Sequence, residues 1–264
     1  MDTVNTARDP AEIYDEFFVP ALFEQWGPVV AAVAGVQPGD RVLDVACGTG
    51  ALTLAVAEIA GGEGRVAGLD ANPAMLAVAR RKAPGIEWLE GTAEALPLPD
   101  ESVDAVVSQF GFMFFDDPAG ALREMMRVLR PGGRLAVAVC DAVDNSPGYS
   151  AFAALLDRLF GPSVGDAFRA PFALGDEGRL LEIAKAADLP APEVVRKNGA
   201  VRFSSVAALV STERACVWTL GGVLDDSQFE VLLREAETAL RPFAARDGAV
   251  RFDMPALILA ARKP

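Results

Sequence analysis

An α/β fold built on a mostly parallel sheet is what this sequence predicts, and three observations predict it. Between Arg41 and about Val139, short β-branched runs alternate with longer Ala- and Leu-rich runs, the pattern of successive βαβ units. The helical runs carry matching punctuation: Asp117 before Pro118 reads as a cap followed by a first-turn proline, and Pro131-Gly132-Gly133 stops that helix and turns the chain into the next strand. The 264 residues are 52% hydrophobic and 23% charged, enough for a large core and outside the disordered and collagen-like classes.

The elements follow in order. Residues 1–37 read as one or two helices rich in aromatics, Tyr14, Phe17, Phe18, Phe23 and Trp26 among them, with Asp9-Pro10-Ala11-Glu12 as a capped start. Strands are expected at 41–46, 65–70, 86–91, 103–109 and 134–140, and helices with apolar residues near a 3.6-residue period at 51–60, 73–83 and 118–130. After Cys140 the alternation breaks down. A polar stretch at 142–150 leads to a short helix at 151–160, a loop to about 175 and an amphipathic helix at 175–189. A strand at 193–203, helices at 204–220 and 226–240 and a closing strand at 249–263 complete the chain.

Composition narrows the function classes. A net charge of −13 repels phosphate backbones and anionic lipid heads, so neither nucleic acid nor a membrane is expected as a partner. There is no histidine, which removes the usual general base near neutral pH, the commonest metal ligand and any Ser-His or Cys-His dyad, and no metal site is expected. Cys47, Cys140 and Cys216 are too far apart for a zinc pair and leave an odd thiol, which fits a reducing compartment. The N-terminus is acidic where a signal peptide needs basic residues, and no stretch approaches the roughly 20 apolar residues of a span, so a cytoplasmic protein is expected.

The sequence DVACGTG at 44–50 stands at the end of the first strand and the start of the first helix, where ligands bind in open α/β sheets. Gly48 and Gly50 let backbone N–H groups approach a ligand, and Asp70 ends the second strand 20 residues after Gly50, where a carboxylate can accept both hydroxyls of an adenosine ribose. The bland alternative makes Gly-x-Gly a tight turn and Asp70 a helix cap. Thr53 occupies the third-glycine place of a dinucleotide fingerprint, and no Arg or Lys lies between Leu43 and Ala57, which disfavours NAD; no G-K-[ST] supports a P-loop.

The set DVACGTG at 44–50, GLDANPAML at 68–76, EGTAEALPLPDESVDAV at 90–106 and LREMMRVLRPGGRLAV at 122–137 resembles the class I S-adenosylmethionine-dependent methyltransferases, in their ubiquinone/menaquinone-biosynthesis-like branch. The resemblance is close over about 38–140 and covers the flanks only in layout. It implies a Rossmann-like, doubly wound, seven-stranded sheet with a helical cap, S-adenosyl-L-methionine as cofactor and a small-molecule methyl acceptor. One domain is expected, with 1–37 as an N-terminal lid, 38–140 as the cofactor-binding core, 141–175 and 204–245 as cap insertions, and 176–203 and 246–264 as the rest of the sheet.

Carried over by position, the resemblance implies that Ala46, Gly48 and Thr49 face the methionine part of the cofactor, with Asp44 supporting the loop. Asp70 would hold the ribose with Ala71 beside it, and Met75 would flank the adenine, against the alternative of a core methionine. Thr92-Ala93 stands where the family commonly has Asp-Ala for the adenine amino group, and a hydroxyl there lacks charge assistance. Ser108 and Gln109 occupy the place that meets the methionine amino group. Tyr14 resembles a tyrosine aimed at the cofactor carboxylate from an N-terminal helix.

Phe18, Phe23, Trp26, Phe110 and Met113 are the candidate acceptor pocket. The run FGFMFFDD at 110–117 can wall an apolar site, with ring faces toward a sulfonium, or pack under the cap. Asp116 and Asp117 suggest paired carboxylates, yet a cap before Pro118 accounts for one of them. No catalytic residue is singled out, since alignment alone supplies about 7–11 kcal/mol in such displacements. Glu213 and Arg214 read as a solvated helix face. Two activities remain open: methyl transfer to a largely apolar or aromatic O, N or C acceptor, and cofactor binding without transfer, as in a pericyclase-like, decarboxylating or regulatory descendant. An Asn/Asp-Pro-Pro-aromatic element is absent after the fourth strand, where Ser108-Gln109-Phe110-Gly111 stands, which sets exocyclic-amine methylation further off.

Overall fold

The computed structural model describes residues 9–216 and 218–264; the first eight residues of the 1–37 segment, and Val217 in the helix expected at 204–220, lie outside the described residues. Seven strands form one sheet in the order β3-β2-β1-β4-β5-β9-β6: β1 Arg41–Val45, β2 Arg65–Asp70, β3 Glu87–Glu90, β4 Val103–Gln109, β5 Leu129–Cys140, β6 Glu193–Lys197 and β9 Ala256–Arg262. Pairing among β3, β2, β1, β4 and β5 is parallel, and β6 runs antiparallel to β9. This is the mostly parallel α/β sheet that the alternation predicts, in the Rossmann-like, seven-stranded form that the resemblance implies.

Both faces of that sheet are covered, which is why the central strands read as continuous apolar runs. Alternate residues serve opposite faces. Leu43, Val45, Val106, Leu135 and Val137 pack with Leu122, Met125 and Leu180, from α5 (Pro118–Val128) and α8 (Glu177–Ala186). Val42, Ala105, Val107, Ala136 and Ala138 pack with Val30, Ala31, Leu52 and Val56, from α2 (Gly27–Ala34) and α3 (Ala51–Ala60). The remaining crossover, α4 (Pro73–Lys82), is capped by Asn72, whose Oδ1 accepts from Ala74 N at 2.9 Å.

The chain divides into two compact units: residues 23–139, 174–197 and 256–264 hold the large sheet, and residues 1–22, 140–173 and 198–255 make the second. The second contains α6 (Pro147–Phe160), α7 (Pro162–Arg169), α9 (Val206–Ala215), α10 (Asp226–Ala239) and a two-stranded sheet of β7 (Ala200–Phe203) with β8 (Val250–Asp253). Its aromatic centre is Tyr149, whose ring meets those of Phe168, Phe172 and Phe252 at centroid distances of 5.4, 5.8 and 5.0 Å.

Four expectations are corrected. The strands expected at 193–203 and 249–263 are each two strands, broken at Asn198-Gly199 and Met254-Pro255, so β6 and β9 join the large sheet while β7 and β8 form the small one. Pro255 has no N–H to continue a ladder, and the opposite Gly199 lends only its carbonyl, to Met254 N at 2.9 Å. Pro131-Gly132-Gly133 does not separate helix from strand. It lies inside β5 as an irregularity, Val103 facing Leu129 and Ala105 facing Arg134, with Gly132 at φ 76°. The segment expected to be a loop to about 175 contains α7.

The fourth concerns the N-terminus. Pro10–Ala34 is a continuous helical run of 25 residues, long and apolar enough by length and composition to cross a membrane, with 50% of its most apolar window buried inside the protein. Sequence reading expected one or two helices over 1–37 and no stretch near the roughly 20 apolar residues of a span; the run passes Pro20 by widening to π geometry over Tyr14–Phe23, which accommodates the missing N–H.

Candidate functional site

The strand order reverses between β1 and β4, which pair directly, Asp44 opposite Val107, so the crevice favoured for ligands opens at their carboxyl ends. The backbone is unusual there. Gly48 and Gly50 have φ 55° and 89°, and two non-glycine residues, Ala46 (59°) and Phe110 (56°), share the left-handed region. Such strain costs energy and gathers at functional sites. The two loops touch: a Cβ added at Gly111 would stand 2.5 Å from that of Ala46.

Asp70 ties this loop to the second strand. Its Oδ2 accepts from Gly48 N at 2.7 Å and its Oδ1 from Asn72 N at 2.8 Å, and burial pushes its pKa above the usual carboxylate value. Ala71 also donates its backbone N–H to this carboxylate, which keeps acceptor capacity for a ligand hydroxyl. Asp44, buried at the end of β1, accepts from Thr53 Oγ1 at 2.6 Å, and burial pushes its pKa up to about 7. The residue in the third-glycine place thus serves to satisfy Asp44.

Four buried oxygens around these strand ends have no protein partner: Asp44 Oδ1, Thr49 Oγ1, Ser108 Oγ and Gln109 Oε1. Gln109 Nε2 donates to Phe23 O at 3.0 Å, which aims its amide. A native interior leaves few polar atoms unsatisfied. Acceptors and hydroxyls gathered beside a glycine loop fit the amino-acid part of an adenosyl amino acid, and the Asp70 carboxylate fits a ribose.

The other candidates divide. Met75 and Ala93 are buried, whereas Ala71 and Thr92 are exposed. Leu76 and Ala79 of the same helix, and not Met75, join Cys47 and Trp88 in an apolar cluster. Phe110 packs against Phe23 (5.4 Å) and Trp26 (5.6 Å), an aromatic wall in which Trp26 Nε1 has no partner. The rest of the phenylalanine run follows the bland alternative: Phe112 is fully buried against Phe115, Met113 packs on the core, and Phe114 is 42% exposed. Tyr14 and Phe18 lie in the second unit, with Tyr14 beside Phe18 (6.1 Å) and Trp218 (5.9 Å), and Phe18 beside Phe203 (6.5 Å). Asp116 and Asp117 are exposed; Asp117 caps α5 through Gly120 N at 2.8 Å and meets Arg123 at 3.5 Å. Among the described residues no three His, Cys, Asp or Glu side chains stand together as a metal group.

Sequence reading missed Trp88 and misread Glu213. The Trp88 indole lies under the glycine loop: a Cβ on Gly50 would come within 2.6 Å of its ring and one on Gly68 within 2.5 Å. Its Nε1 donates to Ala83 O at 2.9 Å, and Lys82 Nζ reaches Thr49 O at 3.2 Å, so loop, helix and third strand are one assembly. The only signal was a large aromatic opposite two glycines, which needs the strand register to be seen. Glu213 is 2% exposed, not a solvated face.

Residues 43–137 match the family model described as a methyltransferase domain. The ubiquinone/menaquinone biosynthesis C-methyltransferase UbiE of Teredinibacter turnerae is 40% identical over 141 residues, 51% of this chain and 57% of that protein. The demethylmenaquinone methyltransferase of Renibacterium salmoninarum is 45% identical over 114 residues, 43% of this chain and 47% of its own. The chain therefore spans about half the length of the curated relatives it matches. Among solved structures, YcgJ of Bacillus subtilis aligns with a TM-score of 0.61 at 22% identity, covering 90% of this chain and 98% of that one. The cyclase SpnF aligns at 0.56 and 24%, covering 92% and 81%, a likeness of fold alone. By its motifs, its sheet order and these relatives, the chain is similar over this half to the class I S-adenosylmethionine-dependent methyltransferases of the ubiquinone/menaquinone-biosynthesis-like branch, whose cofactor is S-adenosyl-L-methionine.

Proposed function

We propose that this protein methylates a small, largely apolar aromatic acceptor, a hydroquinone ring attacked through carbon, by in-line displacement. The observation that carries the reading is the cradle at the β1 and β4 ends, where Asp70 fixes Gly48 and four buried oxygens have no protein partner. The acceptor class rests on the names of the relatives that share this half of the chain.

In this reading Asp70 holds the ribose hydroxyls, and Ala46, Gly48, Thr49, Ser108 and Gln109 hold the methionine part, with Asp44 stiffening the loop from beneath. Met75, Ala71, Thr92 and Ala93 border the adenine. The bound cofactor supplies a methyl group on a sulfonium, an electrophile with a neutral leaving group. Phe23, Trp26 and Phe110 keep water away and present ring faces to that positive charge, worth about 0.5–2 kcal/mol. The remaining work is alignment, for which roughly 7–11 kcal/mol is available against about 10²–10⁴-fold from a base.

The test is S-adenosylhomocysteine formation by the full chain with S-adenosyl-L-methionine and a panel of hydroquinones, phenols, indoles and amines. Product is expected with hydroquinones above the acceptor-free rate. Tight cofactor binding without product from any acceptor would replace transfer with the non-transferring alternative.

A further inference from the structure

Two runs of sequence that carry the likeness to methyltransferases have no role in the cradle described above: Leu96-Pro97-Leu98-Pro99-Asp100, which follows Thr92 and Ala93, and Glu124 with Arg127, one turn apart on α5. The structure joins them within the unit of the large sheet. Pro97 and Pro99 have no N–H with which to build a ladder, so the carbonyls of this run need donors from elsewhere. Arg127 supplies them. Its Nη2 donates to Leu96 O at 3.0 Å, and its Nη1 to Leu98 O at 2.9 Å and to Asp100 Oδ1 at 2.7 Å. Its other two N–H groups go to Glu124, from Nε to Oε1 at 2.7 Å and from Nη2 to Oε2 at 2.8 Å. Glu124 Oε2 in turn accepts from Leu96 N at 2.9 Å. Every donor of the guanidinium is engaged, and one ion pair holds both backbone groups of Leu96.

An ion pair whose side chains are 31% and 23% exposed adds little stability through charge alone. What this pair adds is position, and the segment just before Leu96 shows where that position is used. Gly91 N donates to Asp70 O at 3.1 Å, so the chain leaves the ribose-binding residue from a fixed point. Ala95 N donates to Thr92 O at 3.3 Å, closing a turn, and Ala93 and Leu96 are buried with Leu122, Met125 and Val128 of α5. Thr92 stands exposed between these two anchors, Asp70 on one side and the Glu124–Arg127 pair on the other. A neutral hydroxyl there has no charge assistance, and a hydrogen bond weakens steeply as its angle departs from the preferred one. Its strength therefore depends on how firmly the turn is held.

We propose that Glu124 and Arg127 are positioning residues for the purine of the cofactor: by fixing Leu96 they set the place of Thr92, and with it the hydrogen bond that the Thr92 hydroxyl accepts from the adenine amino group. They act through the backbone of 92–96 and leave the ribose and amino-acid parts to Asp70 and the glycine loop. The proposal rests on the reading above in which Thr92 and Ala93 border the adenine; the clamp itself rests on the bonds of Arg127 and Glu124 to Leu96, Leu98 and Asp100. Shape matters here more than charge. A lysine at 127 keeps the positive charge but presents its donors from one point, and cannot reach Glu124 and three places on the run together.

The experiment compares two ligands on the full chain: S-adenosylhomocysteine, by calorimetry, and S-ribosylhomocysteine, which keeps the ribose and the amino acid but lacks the purine, by NMR titration. Arg127→Met and Thr92→Val are each expected to weaken S-adenosylhomocysteine by about three- to tenfold, the worth of one neutral hydrogen bond, and to leave S-ribosylhomocysteine within about twofold. Because both act on the same bond, the double variant should bind no more weakly than the weaker single one. Arg127→Lys should lose nearly as much as Arg127→Met, and it carries the same comparison if the methionine variant does not fold. An equal loss for both ligands, or losses that multiply in the double variant, overturns the proposal and makes the pair a brace for the sheet. Wild-type affinity in both Arg127 variants while Thr92→Val weakens the purine ligand removes the clamp alone; wild-type affinity in Thr92→Val as well removes the adenine placement beneath it. A wild type that binds S-adenosylhomocysteine but methylates no acceptor contradicts transfer, and the two-ligand comparison still decides the clamp.

Discussion

The two units bury unpartnered polar atoms by different means. In the unit of the large sheet four of them stand around strand ends, placed by the backbone itself: Gly48 in the left-handed region, Asp70 receiving its N–H, Ser108 and Gln109 at the end of a buried strand. In the second unit they stand on one helix, Ser211 and Glu213, placed by helices distant in sequence that pack around them. A site made by backbone leaves a local signature in the residues that permit it. A site made by packing leaves none, because a glutamate on an amphipathic helix reads the same whether its neighbours turn out to be water or Tyr149.

The sharpest way to break the contrast is at Gly48. Gly48→Val places a β-branched residue at φ 55° and crowds the loop, so S-adenosylhomocysteine binding should fall below detection by calorimetry while circular dichroism stays native. A folded variant with unchanged affinity would reduce the loop to a turn. Next in size is Trp88→Ala, which removes the ring under Gly50 and Gly68. Denaturant unfolding should show a loss of about 3–5 kcal/mol, and cofactor affinity should drop about tenfold, with Trp88→Phe restoring most of both. Equal affinity in a destabilised variant would mean that the indole supports the sheet and not the loop.

A smaller effect separates the units by pH. Glu213 has its folded pKa near 7, above the ordinary 4.5, so the native state keeps its proton where the unfolded chain has released it. Its contribution is fully present at low pH and is lost as pH rises from about 4.5 to 7, on the order of 3 kcal/mol in all. Glu213→Gln should therefore match the wild type near pH 4.5 and exceed it in stability near pH 8, read by melting temperature. Asp44 gives the large-sheet unit a slope of the same sign, which this variant should leave in place. The smallest effect is expected at Asp117→Asn and Asp116→Asn: both residues are exposed, asparagine caps as well as aspartate, and kcat should stay within about tenfold.

Most of the large-sheet unit was legible because its signals are local. β2 and β4 and the helix at 51–60 end where their residues change character, and Asp117-Pro118 caps α5 as its sequence says. Pro131-Gly132-Gly133 misled because a proline and two glycines permit a bulge as readily as a turn, and only the register of Val103 and Ala105 decides. The strands at 193–203 and 249–263 were found but not their breaks, since Gly199 and Pro255 matter only as partners across a ladder. In the site, Asp70 was legible from its distance to the glycines, while its bonds to Gly48 N and Asn72 N were not. Trp88 and Glu213 were invisible for one reason: each acts on residues that reach it only through tertiary packing.

The central claim, that the loop held by Asp70 is the cofactor site, is tested most directly by titrating S-adenosylhomocysteine into the wild type and Asp70→Ala by calorimetry. A folded variant is expected whose affinity is weaker by at least about tenfold, because a half-buried carboxylate that anchors Gly48 and would accept the ribose hydroxyls is lost. Binding within twofold of the wild type would contradict it and move the cofactor away from the β1 and β2 ends.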